Sequence, residues 1–114
     1  MDSEYRYFLL QKAAEDLENS VSYIAVSLSN PQAAAAFLQK VQNAIAEACR
    51  FPESGAPVEN EFVPQEGIRK KLVGNYAVYY LPKHEEKTIY VLRVIYARRN
   101  PDEIYRELNP YTES

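Results

Sequence analysis

The chain has 114 residues, 46% hydrophobic and 25% charged, which suits one globular domain spanning 1–114 and argues against disorder. No apolar run approaches the roughly 18 residues needed to span a membrane, and the acidic start MDSEYRYFLLQKAAEDL lacks the pattern of a cleaved leader. The lone cysteine, Cys49, excludes an internal disulfide and, with these features, leads to an expectation of a cytoplasmic protein with a buried structural thiol.

The net charge of −3 conceals an asymmetry. Residues 1–67 hold four Lys/Arg and ten Asp/Glu, whereas 68–99 hold eight Lys/Arg against two Glu; residues 100–114 are acidic again. An acidic pI is therefore compatible with a basic face that binds anions, although lysines on a sheet edge also serve simply to discourage aggregation.

In chain order, EYRYFLL (4–10) is aromatic-rich and predicts a first strand. Ala13, Leu17, Val21, Ile24 and Leu28 then recur at helical spacing. SNP breaks the pattern, with Asn30 suited to cap a second helix and Pro31 to begin it. A second stripe runs through Ala34, Phe37, Leu38, Val41, Ile45 and Ala48, so the two helices should form a hairpin. Residues 52–67 read as a long polar loop. IRKKLV (68–73), YAVYYLP (76–82) and KTIYVLRVIYA (87–97) predict three strands joined by short turns at Gly74–Asn75 and KHEE. Asn100 and Pro101 repeat the capping pattern before a short last helix that stops at Asn109–Pro110. The predicted class is α+β: an N-terminal strand, an α-helical hairpin, a three-stranded antiparallel meander and a short C-terminal helix.

Strand alternation puts Arg93 with Ile89, Val91 and Ile95, leaving Tyr90, Leu92, Val94 and Tyr96 as the better core face. Arg69 and Lys71 share a face of their own strand. If these three and Arg99 lie on one side of the sheet, four cations converge with few carboxylates nearby, and an external anion would answer them. Alternatively each arginine pairs separately with Glu61, Glu66 or Asp102. His84, the only histidine, lies in the KHEEK turn, and no Cys/His or carboxylate spacing suggests a metal or cofactor. Catalysis without a metal would fall to Arg, Lys, Tyr or Glu, as in phosphodiester cleavage by a neighbouring ribose hydroxyl.

AAEDLENSVSYIAVSLSNPQAAAAF, CRFPESG, IRKKLVGNYAVYY and YVLRVIYARRNPDEIY together resemble the RelE/ParE superfamily of type II toxins, over about residues 4–108. The resemblance implies a helical hairpin on a small antiparallel sheet and inhibition by a cognate antitoxin. It also implies either ribosome-dependent mRNA cleavage, as in RelE-like members, or poisoning of DNA gyrase, as in ParE-like members. Carried over by residue, the nuclease reading makes Tyr105, Arg99 and Lys71 catalytic, with Arg69, Arg93 and Arg98 gripping RNA. The arginine of RelE-like members just after the hairpin-turn tyrosine falls on Ala77 here. A ribosome-dependent endoribonuclease is the leading expectation, with a gyrase inhibitor or a decayed, antitoxin-titrating toxin as the alternatives.

Overall fold

A computed structural model describes residues 4–58 and 67–108; the side chains of residues 101, 102 and 105 lie outside what it describes. The first strand, β1 (Arg6–Leu9), runs straight into α1 (Gln11–Ser22). A wider π-helical turn, Tyr23–Ser27, continues α1. It closes through the Leu28 N–H on the Tyr23 carbonyl, 3.0 Å, and Ser29 at φ 50° then ends the helix.

This turn alters one sequence expectation. Ala13 is buried, and Leu17, Val21 and Ile24 pack against the core as their spacing implies. Leu28 does not follow them, because the extra residue per turn rotates it outward, and it is 54% exposed.

The second helix, α2 (Pro31–Arg50), begins as its sequence dictates. The Asn30 side-chain oxygen accepts the Ala33 N–H at 3.0 Å, and Pro31 occupies the first turn, where its missing donor is harmless. Ala34, Phe37, Val41, Ile45, Ala48 and Cys49 form its buried stripe. Burial raises the Cys49 thiol pKa, which suits an inert structural residue.

The stretch read as an unbroken loop contains a two-residue strand, β2 (Ala56–Pro57), paired with β3 (Arg69–Val73). Pro57 is tolerated because β2 is an edge strand. The remaining strands are β4 (Tyr76–Lys83) and β5 (Thr88–Tyr96), followed by α3 (Pro101–Leu108). The sheet order is β1-β5-β4-β3-β2, with β1 parallel to β5 and the other pairs antiparallel. Tight turns suffice for the β3–β4 and β4–β5 pairs, whereas the helical hairpin supplies the crossover that the parallel pair needs.

Both faces of the sheet are covered. Val73, Val78, Tyr80, Ile89, Val91 and Val94 pack with the helical hairpin. Ala77, Tyr79, Leu92 and Ile95 pack with Ile104 and Leu108 of α3. Simple alternation along β5 therefore fails. Tyr79 pairs with Arg93 but Tyr80 pairs with Val91, so a bulge at Leu92 inserts one residue and resets the pleat. Val94 joins the hairpin-side core and Ile95 the α3 side, the reverse of the parity expected from the sequence.

Candidate functional site

The bulge places Arg93 where β1 has ended. β1 stops pairing at Leu9–Val91, so beyond that point the outer edge of β5 has no neighbouring strand. Asp16 of α1 fills the gap by accepting the Val94 N–H at 3.0 Å. The same carboxylate grips Arg93 in a fork, with Nε to Oδ2 at 2.6 Å and Nη2 to Oδ1 at 3.1 Å. From the other side Arg93 Nη1 donates to Glu107 Oε1 at 2.6 Å. Arg93 is 7% exposed, which two carboxylates make tolerable.

Arg99 belongs to the turn after β5, where its N–H meets the Tyr96 carbonyl. Its guanidinium shares Glu107, with Nη2 to Oε2 at 2.8 Å, and lies 3.7 Å from Glu103. The Arg99 guanidinium, and then that of Arg93, hold the Glu107 carboxyl below its ordinary pKa despite some burial. Asp16 first, then Glu107, raises the pKa of Arg93, so it stays charged.

The other candidate residues are placed apart from this pair. Arg69 Nη1 donates to the carbonyls of Gly55, 2.6 Å, and Glu53, 3.1 Å. Lys71 bonds Glu47 of α2 at 2.5 Å, which lowers the Glu47 pKa. Both alternate with Val73 on the hairpin side, while Arg93 sits opposite Tyr79, whose ring belongs to the α3-side core. The four cations therefore form no common unpaired surface. They pair separately, with Asp16, Glu107, Glu103, Glu47 and backbone carbonyls; Glu61, Glu66 and the Asp102 side chain, the partners expected from the sequence, lie outside the described residues. Arg98 is exposed and makes no hydrogen bond or ion pair with the described residues. Ala77 is 1% exposed within the α3-side core. Tyr105 lies in α3, with its phenol outside the described side chains. Among the described residues, no cluster of His, Cys, Asp or Glu could hold a metal ion, and no helix is long and apolar enough to cross a membrane.

Sequence reading missed Asp16, Glu47 and Glu107. Asp16 stands beside Leu17 in the acidic first half of the chain, and nothing local distinguishes it from a solvated helix carboxylate. Glu107, between Ile104 and Leu108 on the turn that packs against the sheet, is the one such residue that helical spacing could have singled out.

A groove of about 770 Å³ opens between the hairpin and the β3–β4 turn, lined by Tyr23, Ile24, Leu28, Phe37, Tyr76 and Tyr96 among others. Tyr23, Leu28 and Tyr96 leave large apolar areas in solvent there. Lys40 supplies a positive charge on its wall. Such a surface suits a partner's amphipathic segment more than a small polar substrate.

The fold is shared with known structures. The chain aligns with a structure described as the chromosomal ParDE toxin–antitoxin system from P. aeruginosa, at TM-score 0.67 and 22% identity, covering 85% of this chain and 100% of that one. It aligns with the toxin–antitoxin complex RelBE2 from Mycobacterium tuberculosis at TM-score 0.58 and 24% identity, covering 82% and 98%. A third match is the archaeal RelE–RelB complex from Pyrococcus horikoshii OT3, at TM-score 0.52 and 16% identity, covering 85% and 99%. No curated protein sequence matches. The family model described as the ParE toxin of the type II toxin–antitoxin system parDE matches residues 7–101, most of the chain. With its RelE/ParE-like fold, the chain belongs to the ParE family and is a toxin of a type II toxin–antitoxin system.

Proposed function

We propose that this toxin acts by binding a protein target, DNA gyrase, and does not itself cut mRNA. One observation carries the reading. Arg93, Arg99 and Lys71 are held by the chain's own carboxylates, and Arg69 by two loop carbonyls, so phosphate would have to compete for each of them. The buried Ala77 adds no charge at the position where RelE-like members carry arginine. The test is a comparison of purified gyrase supercoiling with mapped mRNA ends in a purified translation system. Inhibited supercoiling with intact mRNA is the expected result, and codon-positioned cleavage with unaffected gyrase would overturn the proposal.

The nuclease reading retains support from the exposed Arg98 and the partly exposed Arg99 beside α3, which carries Tyr105. In it Arg69, Arg93 and Arg98 would hold RNA, and Lys71, Arg99 and Tyr105 would stabilise charge and move a proton on the ribosome.

A cognate antitoxin is the second proposed partner, suggested by the toxin–antitoxin assemblies among the similar structures. Its amphipathic segment would lie in the groove walled by Tyr23, Leu28 and Tyr96. Co-purification of a co-expressed neighbouring small protein, lost when this groove is altered, tests that assignment.

A further inference from the structure

Arg93 has two carboxylate partners of different character. Asp16 is committed: its oxygens accept Nε, Nη2 and the Val94 N–H, and its side chain is only 14% exposed. Glu107 is 39% exposed and belongs to an eight-residue helix at the end of the described chain. Glu107 also spans two guanidiniums, with one oxygen on Arg93 Nη1 and the other on Arg99 Nη2. The pocket around it is lined by Lys12, Arg93 and Arg99, so Glu107 is the one anion among three lining cations.

We propose that Arg93 and Arg99 form a carboxylate-binding site that the chain fills with its own Glu107. An acidic side chain of a protein partner takes the site over by displacing Glu107. The fork is spaced for a carboxylate, since Glu107 Oε1 accepts from Arg93 at 2.6 Å and from Arg99 at 3.4 Å while Oε2 accepts from Arg99 at 2.8 Å. Asp16 makes exchange possible, because it keeps Arg93 paired when Glu107 leaves. The exchange also has a structural consequence. Glu107 lies between Ile104 and Leu108, whose side chains close the α3-side core, so its departure loosens α3 over Ala77, Tyr79, Leu92 and Ile95. An incoming segment with apolar residues flanking its acid would cover the same patch. This assignment rests on the reading of a protein-binding toxin, but its test needs neither gyrase nor ribosome.

The experiment is chemical rescue, read by hydrogen exchange at the Ile104 and Leu108 amides. Glu107→Ala should raise exchange there by about five- to tenfold, the scale of charge-assisted bonds on a partly exposed carboxylate. Acetate should restore most of the protection, and chloride at equal ionic strength should not. Glu107→Gln, which leaves no vacancy, should gain nothing from acetate. In the wild type an oligoglutamate peptide should raise Leu108 exchange by displacing Glu107. If Glu107→Ala melts α3 outright, a saturable acetate shift of the Arg99 Nε–Hε resonance reads the same site. Absence of acetate rescue and of that shift would overturn the carboxylate site. Failure of oligoglutamate to disturb the wild type would overturn the exchange. Better rescue by inorganic phosphate than by acetate would overturn the protein partner in favour of a nucleic-acid backbone.

Discussion

Asp16 holds Arg93 across 77 positions of sequence, and the same carboxylate closes the open edge of β5 at Val94. One side chain thus neutralises a buried cation and satisfies a backbone donor that β1 is too short to reach. Removing it leaves two groups wanting at once.

Asp16→Ala is therefore expected to lower stability by about 3–5 kcal/mol, a fall in Tm of roughly 12–20 °C for a domain of this size. Arg93→Gln should destabilise too, because it strips Asp16 and Glu107 of their shared partner. The resemblance read from the sequence assigned Arg93 a different part, gripping RNA, which its loss would forfeit without harm to the fold. Thermal unfolding of both variants decides the matter, and an unchanged Tm in either would return Arg93 to a purely functional role.

Besides Arg69, a buried phenol pins the loop after α2. Tyr80 Oη accepts the Gly55 N–H at 2.8 Å and donates to the Pro52 carbonyl at 2.9 Å, and Tyr80 is 1% exposed. Tyr80→Phe should cost about 1–3 kcal/mol through the unsatisfied amide. Gly55→Ala should cost more, since its Cβ would lie 2.6 Å from Tyr80 Oη and 2.8 Å from the Lys70 carbonyl oxygen. Urea unfolding gives the comparison, and a neutral Gly55→Ala would show that the loop shifts freely.

Tyr105→Phe separates the two target readings. For a gyrase binder the change should leave growth arrest and supercoiling inhibition nearly intact. For a nuclease that uses the phenol, single-turnover cleavage on programmed ribosomes should fall about 10²–10⁴-fold. Neither result needs a change in stability, which circular dichroism can verify.

The groove gives a prediction about the antitoxin. Leu28 is 54% exposed and lines the groove at its open side. Leu28→Asp should weaken antitoxin binding by about tenfold or more while leaving Tm within a few degrees, because an anchor is lost and no core is disturbed. Isothermal titration with the co-purified partner measures it; unaltered affinity would move the partner elsewhere.

Glu107 also sets a pH dependence. Its folded pKa is depressed by Arg99 and Arg93, so its contribution to stability is fully present above the ordinary glutamate value. That contribution is lost as pH falls through the depressed folded value. The α3 amides should exchange faster, relative to the rest of the fold, on acidification below the ordinary carboxylate range. Glu107→Gln should abolish this extra sensitivity, and a variant that retains it would point to another carboxylate.

The elements were legible in the sequence because each announces itself locally. Asn30–Pro31 capped α2, the four-residue steps of Ala13, Leu17 and Val21 marked α1, and Gly74–Asn75 turned β3 into β4. What escaped was decided by contacts between distant segments. The bulge at Leu92 has no residue signature, yet it moves Val94 and Ile95 to opposite cores. β2 is only two residues and exists because β3 offers it an edge. The ion pairs are harder still, since the choice of Asp16 over other acids depends on where β1 ends. The family resemblance read from four segments agrees with the ParE match, whereas the roles assigned to Tyr105, Arg99 and Lys71 await the assays above.

The parallel pairing of β1 with β5 has a consequence for how the chain is made. Arg6 pairs with Thr88, so the first strand cannot enter the sheet until the last has been synthesised and has cleared the ribosome. The helical hairpin can form early from local contacts, but closing the loop between β1 and β5 comes late. A nascent or truncated chain ending before β5 has the hairpin without its sheet and without Arg93 to meet Asp16. Synthesis must thus pass β5 before the sheet can take its working shape, leaving a partner already present time to meet the chain.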